Sequence, residues 1–255
     1  MLAILLVQLG GVAALGGGLT LALGAASATG ASRSLGALLL AAGATAVIAG
    51  LKWPARATRV QARRTRLDDF VPEYQFAEAH GIVVRASAAR TYEAVHAVTA
   101  REIAFFRTLT WIRRAGRPGP ESILNPPPDE PLLAVATRTS FIRLAEVPDT
   151  EALVGIPVIT PRGWRPVGRL TPEAFRELQP PGFALAAMNF RIEETETGCR
   201  LTTETRIFAT DSSACRRFAL YWRLIYPGSA FIRRMWLRAI KKRAERAAGG
   251  PASGR

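Results

Sequence analysis

Glu204 and Arg206 stand two apart in the alternating stretch "RLTTETRIFATD", residues 200–211, and their types and spacing come nearest to chemistry. A carboxylate beside a guanidinium can bind or protonate a polar substrate group if their face lines a cavity, which makes Glu204 the candidate acid. On an outward face the same pair is cross-strand charge pairing. Thr203 and Thr205 fall on the other face with Leu201 and Ile207, where hydroxyls set into apolar surface can orient a buried ligand. Few other reagents are present. The two histidines, His80 and His96, fall at the start of a strand and on an early helix, as structural or surface residues. With them no nucleophile, base and orienting acid can be assembled. Cys199 and Cys215 have neither metal-knuckle spacing nor the number for a disulfide framework, and two reduced thiols fit a cytosolic setting. No phosphate-cradling glycine loop or dinucleotide fingerprint occurs, so no metal and no cofactor is expected.

The threonine strand needs a partner to position it. "FALAAMNFRIEE" precedes it across a tight turn, which predicts a β-hairpin. With the turn centred between Glu196 and Thr197, Ile192, Phe190, Met188 and Ala186 face Leu201, Thr203, Thr205 and Ile207. That face is mainly apolar. The opposite one carries Asn189, Arg191, Thr202, Glu204 and Arg206, and suits solvent; a slip of one residue would mix the two. A long helix follows from Asp211 or Ser212, interrupted at Pro227-Gly228, with apolar residues at helical spacing. The candidate ligand lining is Met188, Phe190, Thr203 and Thr205 from the hairpin, with Tyr221 and Trp222 from that helix.

Upstream, "HGIVVRAS" reads as a strand with Ile82 and Val84 on one face, and Ser87 caps a helix. "AREIAFFRTLTWIRR" continues helically, and "GRPGPESILNPPPDEP" is a breaker-rich loop. "LLAVATRT", "SFIRLAEV" and "EALVGIPVI" read as strands. Thr171 and Pro172 open a short helix.

The first fifty residues differ in kind. Residues 2–26 carry no charge, and at about 1.5 Å per residue they exceed the roughly 30 Å of a bilayer's hydrocarbon. Residues 35–51 form a second uncharged run, and the polar turn between predicts a transmembrane hairpin. A signal peptide would want positive charge before the apolar run, and none is there. Glycines recur every seventh residue, at Gly10, Gly17 and Gly24 and at Gly36, Gly43 and Gly50, which places a small-residue groove on each helix. Six basic residues follow the second run against one arginine in the turn, so the folded portion is expected on the cytoplasmic side of the inner membrane.

The net charge of +14 sits in two clusters, one between Lys52 and Arg66 and one between Arg216 and Arg246. Next to apolar spans they read as contacts to anionic headgroups rather than nucleic acid. Arg56, Arg59, Arg63, Arg64, Arg233, Arg234, Lys241 and Lys242 are the membrane-surface candidates. Phe231, Trp236 and Ile240 supply an apolar face opposite the second cluster.

Strand, two short helices, antiparallel strands and a long last helix make an α+β order. This order resembles the START-like helix-grip superfamily, which includes birch pollen allergen, START lipid-transfer domains and polyketide aromatase/cyclase domains. "PEYQFAEAHGIVVRASAARTYEAV", "LTTETRIFATD" and "YWRLIYPGSAFIRR" are similar to its bacterial SRPBCC branch, and the resemblance spans about Tyr74 to Arg246. It implies a sheet wrapped around the last helix over a hydrophobic cavity, and it brings no common catalytic set. The expected organisation is a transmembrane hairpin at 1–52, a basic juxtamembrane linker at 53–70, the START-like domain at 71–247 and a disordered tail at 248–255. The expected function is binding of an apolar small molecule, such as a lipid, quinone or polyketide-like compound, without required catalysis. The alternatives are a cyclase/dehydratase-like enzyme using Glu204 and a membrane scaffold for a protein partner.

Overall fold

The computed structural model describes residues 2–24, 30–53, 55–166 and 168–248, so the expected tail from 249 onward lies outside the described residues. Two helices open the chain, α1 (Leu2–Gly24) and α2 (Gly30–Lys52). The elements β1 (Thr58–Arg59), α3 (Leu67–Phe70), β2 (Glu73–Tyr74) and β3 (Phe76–Val84) follow. Next come α4 (Ala88–Ala97), α5 (Phe106–Arg113), α6 (Leu132–Thr139), β4 (Ile142–Val147) and β5 (Glu151–Ile159). The chain ends with α7 (Pro172–Arg176), β6 (Ala184–Thr195), β7 (Gly198–Ala209) and α8 (Ser212–Ala248). These divide into two units: residues 1–55 with 216–227, and residues 56–215 with 228–255.

In the first unit α1 and α2 run antiparallel with their glycines in register. A Cβ added at Gly17 would stand 2.6 Å from the Gly36 carbonyl, and one at Gly43 would stand 2.5 Å from the Gly10 carbonyl. Backbone cannot yield at such distances, so the seven-residue glycine spacing is what lets the helices touch. By length and composition Ile4–Ala22 can cross a membrane, whereas the apolar stretch Ser34–Gly50 of α2 is shorter. Among the described residues the expected pair of spans therefore reduces to one that qualifies.

The same unit accounts for the uninterrupted course of α8, which passes Pro227 where a break was expected. Proline has no N–H, so the Arg223 carbonyl loses its bond from four residues on. Gln8, a polar residue in an apolar helix, donates its amide to that carbonyl at 2.9 Å. Gln8→Leu is expected to lower stability by about 1–2 kcal/mol, the cost of an orphaned buried carbonyl. Pro227→Ala restores the in-helix donor and should remove most of that loss. Thermal unfolding of the two single variants and the double variant, in detergent, reads this coupling.

The second unit is built on a five-stranded antiparallel sheet in the order β3-β7-β6-β5-β4. The β6–β7 hairpin has the expected register, with Ile192, Phe190, Met188 and Ala186 opposite Leu201, Thr203, Thr205 and Ile207. One face packs against α4, α6 and the last third of α8 through Val154, Met188, Phe190, Leu201, Trp236 and Ile240. A sheet with a long C-terminal helix on one face fits the helix-grip arrangement.

The other face was expected to meet solvent, and it does not. Leu67, Val71, Leu153, Phe175, Phe183, Leu185 and Ala187 form a second core there. The stretch expected as a basic linker supplies part of this cover: Leu67 is fully buried, and β1 pairs with β2. "LLAVATRT" is the helix α6 rather than a strand, since Leu132, Leu133, Val135 and Ala136 are buried at helical spacing. The helix expected across residues 100–114 is broken by a 3-10 turn at Ala100–Glu102 and by Phe105, which takes a left-handed backbone with φ 59°. Ser87 and Thr171 cap α4 and α7 as expected, each accepting from the N–H three residues on.

Candidate functional site

The cross-strand pairs place an unexpected set of polar groups on the apolar face beneath α8. Along β3, Phe76, Ile82 and Val84 alternate inward, and Glu78 and His80 share their parity. Glu78 pairs across the ladder with Thr205, which pairs with Met188; His80 pairs with Thr203, which pairs with Phe190. On α8, Ser229 and Arg233 lie one turn apart, followed by Trp236 and Ile240 on the same side.

These groups close a ring. Glu78, only 4% exposed, accepts from His80 Nε2 at 2.7 Å and from Ser229 Oγ at 3.1 Å. A carboxylate only accepts, so His80 carries its proton on Nε2. Arg233 extends its guanidinium to the Met188 sulfur and lies 3.5 Å from Thr203 Oγ1. Both partners are about 2% exposed, so the charged end of Arg233 is inside although its stem is half-buried. It makes no ion pair among the described residues; burial pushes its pKa down to about 10, against the pull of Glu78 and with the push of Arg113.

Above Phe190 the Trp236 ring stands edge-on, centroids 4.9 Å apart. Its Nε1–H is buried without a hydrogen-bond partner among the described residues. At the far end of the His80–Thr203–Phe190 row, across Ala152, comes Glu146. Glu146 lies 2.7 Å from His96 and accepts from the Tyr92 hydroxyl, whose pKa is pushed up by burial and by that carboxylate. Each histidine thus faces a carboxylate on the inner side of the sheet, at opposite edges. Chemically the interior offers Trp236 Nε1, without a partner among the described residues, and the Arg233 guanidinium, with a thioether and a hydroxyl but no ion pair, for an acceptor or anion. It also offers an imidazole–carboxylate pair able to accept or pass a proton.

The six lining candidates are divided between the two units. Met188, Phe190, Thr203 and Thr205 share the inner face, at 1–7% exposure. Tyr221 and Trp222 belong to the first unit, where Trp222 stacks on Phe218 and meets Tyr226 edge-on. Glu204 and Arg206 occupy the opposite face, bonded to each other at 2.6 Å, so the acid expected at Glu204 cannot reach the interior. Of the membrane-surface candidates, Arg56, Arg59, Arg63, Arg64, Arg234 and Lys242 are exposed. Lys241 reaches the Val83 carbonyl, and Arg233 turns inward. The apolar face expected to lie on lipid is mostly spent on the sheet, with Trp236 and Ile240 at 3% and 0% exposure.

The sequence matches no family model and no curated protein. Among solved structures it is similar to the crystal structure of the di-domain ARO/CYC StfQ from the steffimycin biosynthetic pathway, at 12% identity and a TM-score of 0.27. The match covers 88% of this chain and 63% of that one, so the chain spans less than two thirds of that protein. So slight a superposition carries nothing from one to the other.

Sequence reasoning missed Glu78, His80, Ser229 and the inward turn of Arg233. The signal was present in "FAEAHGIVV", where Glu78 and His80 interrupt an apolar alternation that runs from Phe76 to Val84. Ser229, Arg233, Trp236 and Ile240 keep the spacing of one helix face in the same way.

A separate open depression of about 510 Å³ lies between α6, β4 and the loop before α7, lined by Arg138, Phe141, Trp164 and Arg169 among others. Its cations are engaged, Arg138 by Glu121 and Glu130 and Arg169 by the Thr137 carbonyl.

Proposed function

We propose that this chain is a membrane-anchored binding domain for an apolar small molecule with an anionic or strongly accepting end, held between the sheet and the last third of α8. The observation that carries the proposal is Arg233, a guanidinium turned into an apolar interior with a sulfur and a distant hydroxyl for company. Thioether sulfur is a weak acceptor, and burying a cation costs several kcal/mol unless it is paired. A ligand carboxylate, phosphate or enolate would supply the missing partner, and Trp236 Nε1 a second donor. Apolar burial along Met188, Phe190 and Val154 would supply most of the affinity, at about 25 cal/mol per Å². A lipid, a quinone or a polyketide-like molecule meets this description, and the helix-grip arrangement is consistent with it. Anchoring rests on α1, and the arginines after α2 favour the cytoplasmic side of the inner membrane.

A second reading is an enzyme on the same site, favoured by the Glu78–His80 contact rather than by Glu204. One experiment addresses both. The full-length protein is extracted from bacterial membranes and analysed by native mass spectrometry with lipid extraction. A co-purifying apolar anion, lost on Thr205→Trp in a protein that still unfolds cooperatively, supports binding. A ligand of different mass in Glu78→Gln supports turnover. A protein that stays empty across a panel of lipids and quinones sinks both, and leaves the scaffold.

A further inference from the structure

The segment around α5 presents a surface of unusual composition. Phe105 is 65% exposed, Trp111 56%, Ile112 58% and, on α8 beside them, Phe231 40%. Phe105 and Phe231 touch, their ring centroids 5.8 Å apart. Large apolar groups gathered on one surface mark an interaction site. The residues between them are cationic: Arg107, Arg113, Arg114 and Arg117 occur in residues 103–120, with no acid in that interval.

The backbone holds these side chains outward. Phe105 enters α5 in a left-handed conformation that a bulky residue rarely adopts. Ala115 and Gly116 leave α5 in the same region, with the Gly116 N–H on the Trp111 carbonyl at 3.0 Å. A carbon added at Gly116 would meet the Trp111 indole at 3.0 Å, so the indole lies over this turn. Phe106 and Thr110 bury the opposite side of the helix. The arrangement leaves aromatic and aliphatic tips exposed on a segment whose Arg107, Arg113 and Arg117 are exposed too.

We propose that α5 and its flanking turns dock on an anionic phospholipid bilayer. The charge favours the partner: residues 103–120 carry four arginines, and the acids that flank them, Glu102 and Glu121, are paired with Arg243 and Arg138. That matches phosphate headgroups over acyl chains, with tryptophan at the boundary where it is favoured.

The test uses the full-length chain with Cys215→Ser and Ile112→Cys, the new thiol carrying an environment-sensitive fluorophore. Cys199 is buried, with its thiol pushed up by that burial, and stays unlabelled. In vesicles of phosphatidylglycerol and phosphatidylcholine the emission should move to the blue and be quenched by brominated lipid. In phosphatidylcholine alone the docked fraction should fall, and Arg107→Gln or Arg117→Gln should each lower the docked-to-free ratio roughly fivefold. A fluorophore at Val83, 52% exposed on the opposite face of the sheet's edge strand, should stay in water throughout. Position 112 remaining in water on anionic vesicles overturns the proposal. So does equal burial there in phosphatidylcholine alone, which removes headgroup charge from the recognition. Ligand content of the same Arg variants, measured by mass, separates a failed surface from a failed ligand site.

Discussion

Arg233→Leu should make the protein more stable and weaken its hold on the proposed apolar anion. In the structure the Arg233 guanidinium meets the Met188 sulfur and forms no ion pair among the described residues. It lies 3.5 Å from Thr203 Oγ1, the outer limit of a hydrogen bond. Replacing an imperfectly paired buried ion by an apolar side chain is commonly neutral or stabilising by about 1–4 kcal/mol. Leucine at 233 would meet Met188 and Trp236, so a rise of several degrees in the unfolding temperature is expected. A charge-assisted hydrogen bond to the ligand contributes about 1.5–3 kcal/mol, so retention should fall roughly 10- to 100-fold. Thermal unfolding and extracted-ligand mass spectrometry on the same samples read the two effects in opposite directions.

The opposition is what makes the test informative. Glu78 raises the pKa of Arg233 from a distance, and a purely structural role would make Arg233 its counter-charge. In that case Arg233→Leu would strand a buried carboxylate and cost about 3–5 kcal/mol. Glu78 already has His80 and Ser229, which is why the expected sign is the other one. Arg233→Lys keeps the charge without the planar fork; it should retain less ligand than the native chain and more than the leucine variant.

The parts of this fold legible in the sequence are those fixed by near neighbours. The β6–β7 register follows from a two-residue turn and strict alternation on either side, and Ser87 and Thr171 cap their helices through bonds three residues long. The glycine stripes of α1 and α2 were legible because seven residues return to one helix face. What was not legible depends on distant chain. α6 read as a strand because "LLAVATRT" sets β-branched Val135, Thr137 and Thr139 at alternate positions, although Leu132, Leu133, Val135 and Ala136 hold the helical spacing that its neighbours bury. Arg233 read as a surface cation because nothing in its own helix says that β6 and β7 lie beneath it. Pro227 read as a break because its remedy, Gln8, is 215 residues away from the carbonyl it satisfies. Glu204 and Arg206 read as solvent-facing because their cover comes from residues 63–71, which looked like linker.

That cover sets up the largest stability effect in the molecule. Arg206, 6% exposed, donates to Asp68 Oδ1 at 2.6 Å, to Glu204 Oε1 at 2.6 Å and to the Val71 carbonyl at 3.3 Å, with its guanidinium over the Tyr74 ring. Asp68 in turn accepts from the N–H groups of Arg64 and Thr65, each at 2.7 Å. Arg206→Ala removes the cation and leaves Asp68 buried and Glu204 half-buried, so a loss of about 3–5 kcal/mol is expected by denaturant unfolding. The acid limb of the stability curve carries the same signature. Burial raises the pKa of Asp68, but the Arg64 N–H, the Arg206 guanidinium and the Thr65 N–H together hold it below its ordinary value. A carboxyl depressed in the folded state contributes stability that is full above the unfolded pKa of about 3.9 and lost as pH falls through the folded one. The midpoint of unfolding should therefore drop below about pH 4 in the native chain, and Asp68→Asn should flatten that drop while lowering the plateau at neutral pH. In Arg206→Ala the Asp68 pKa moves up toward its unfolded value, so the drop below about pH 4 shrinks there as well. If the acid limb is the same in all three proteins, the segment at 63–71 is not held on the sheet by this pair, and the burial of Leu67 and Val71 must account for it instead.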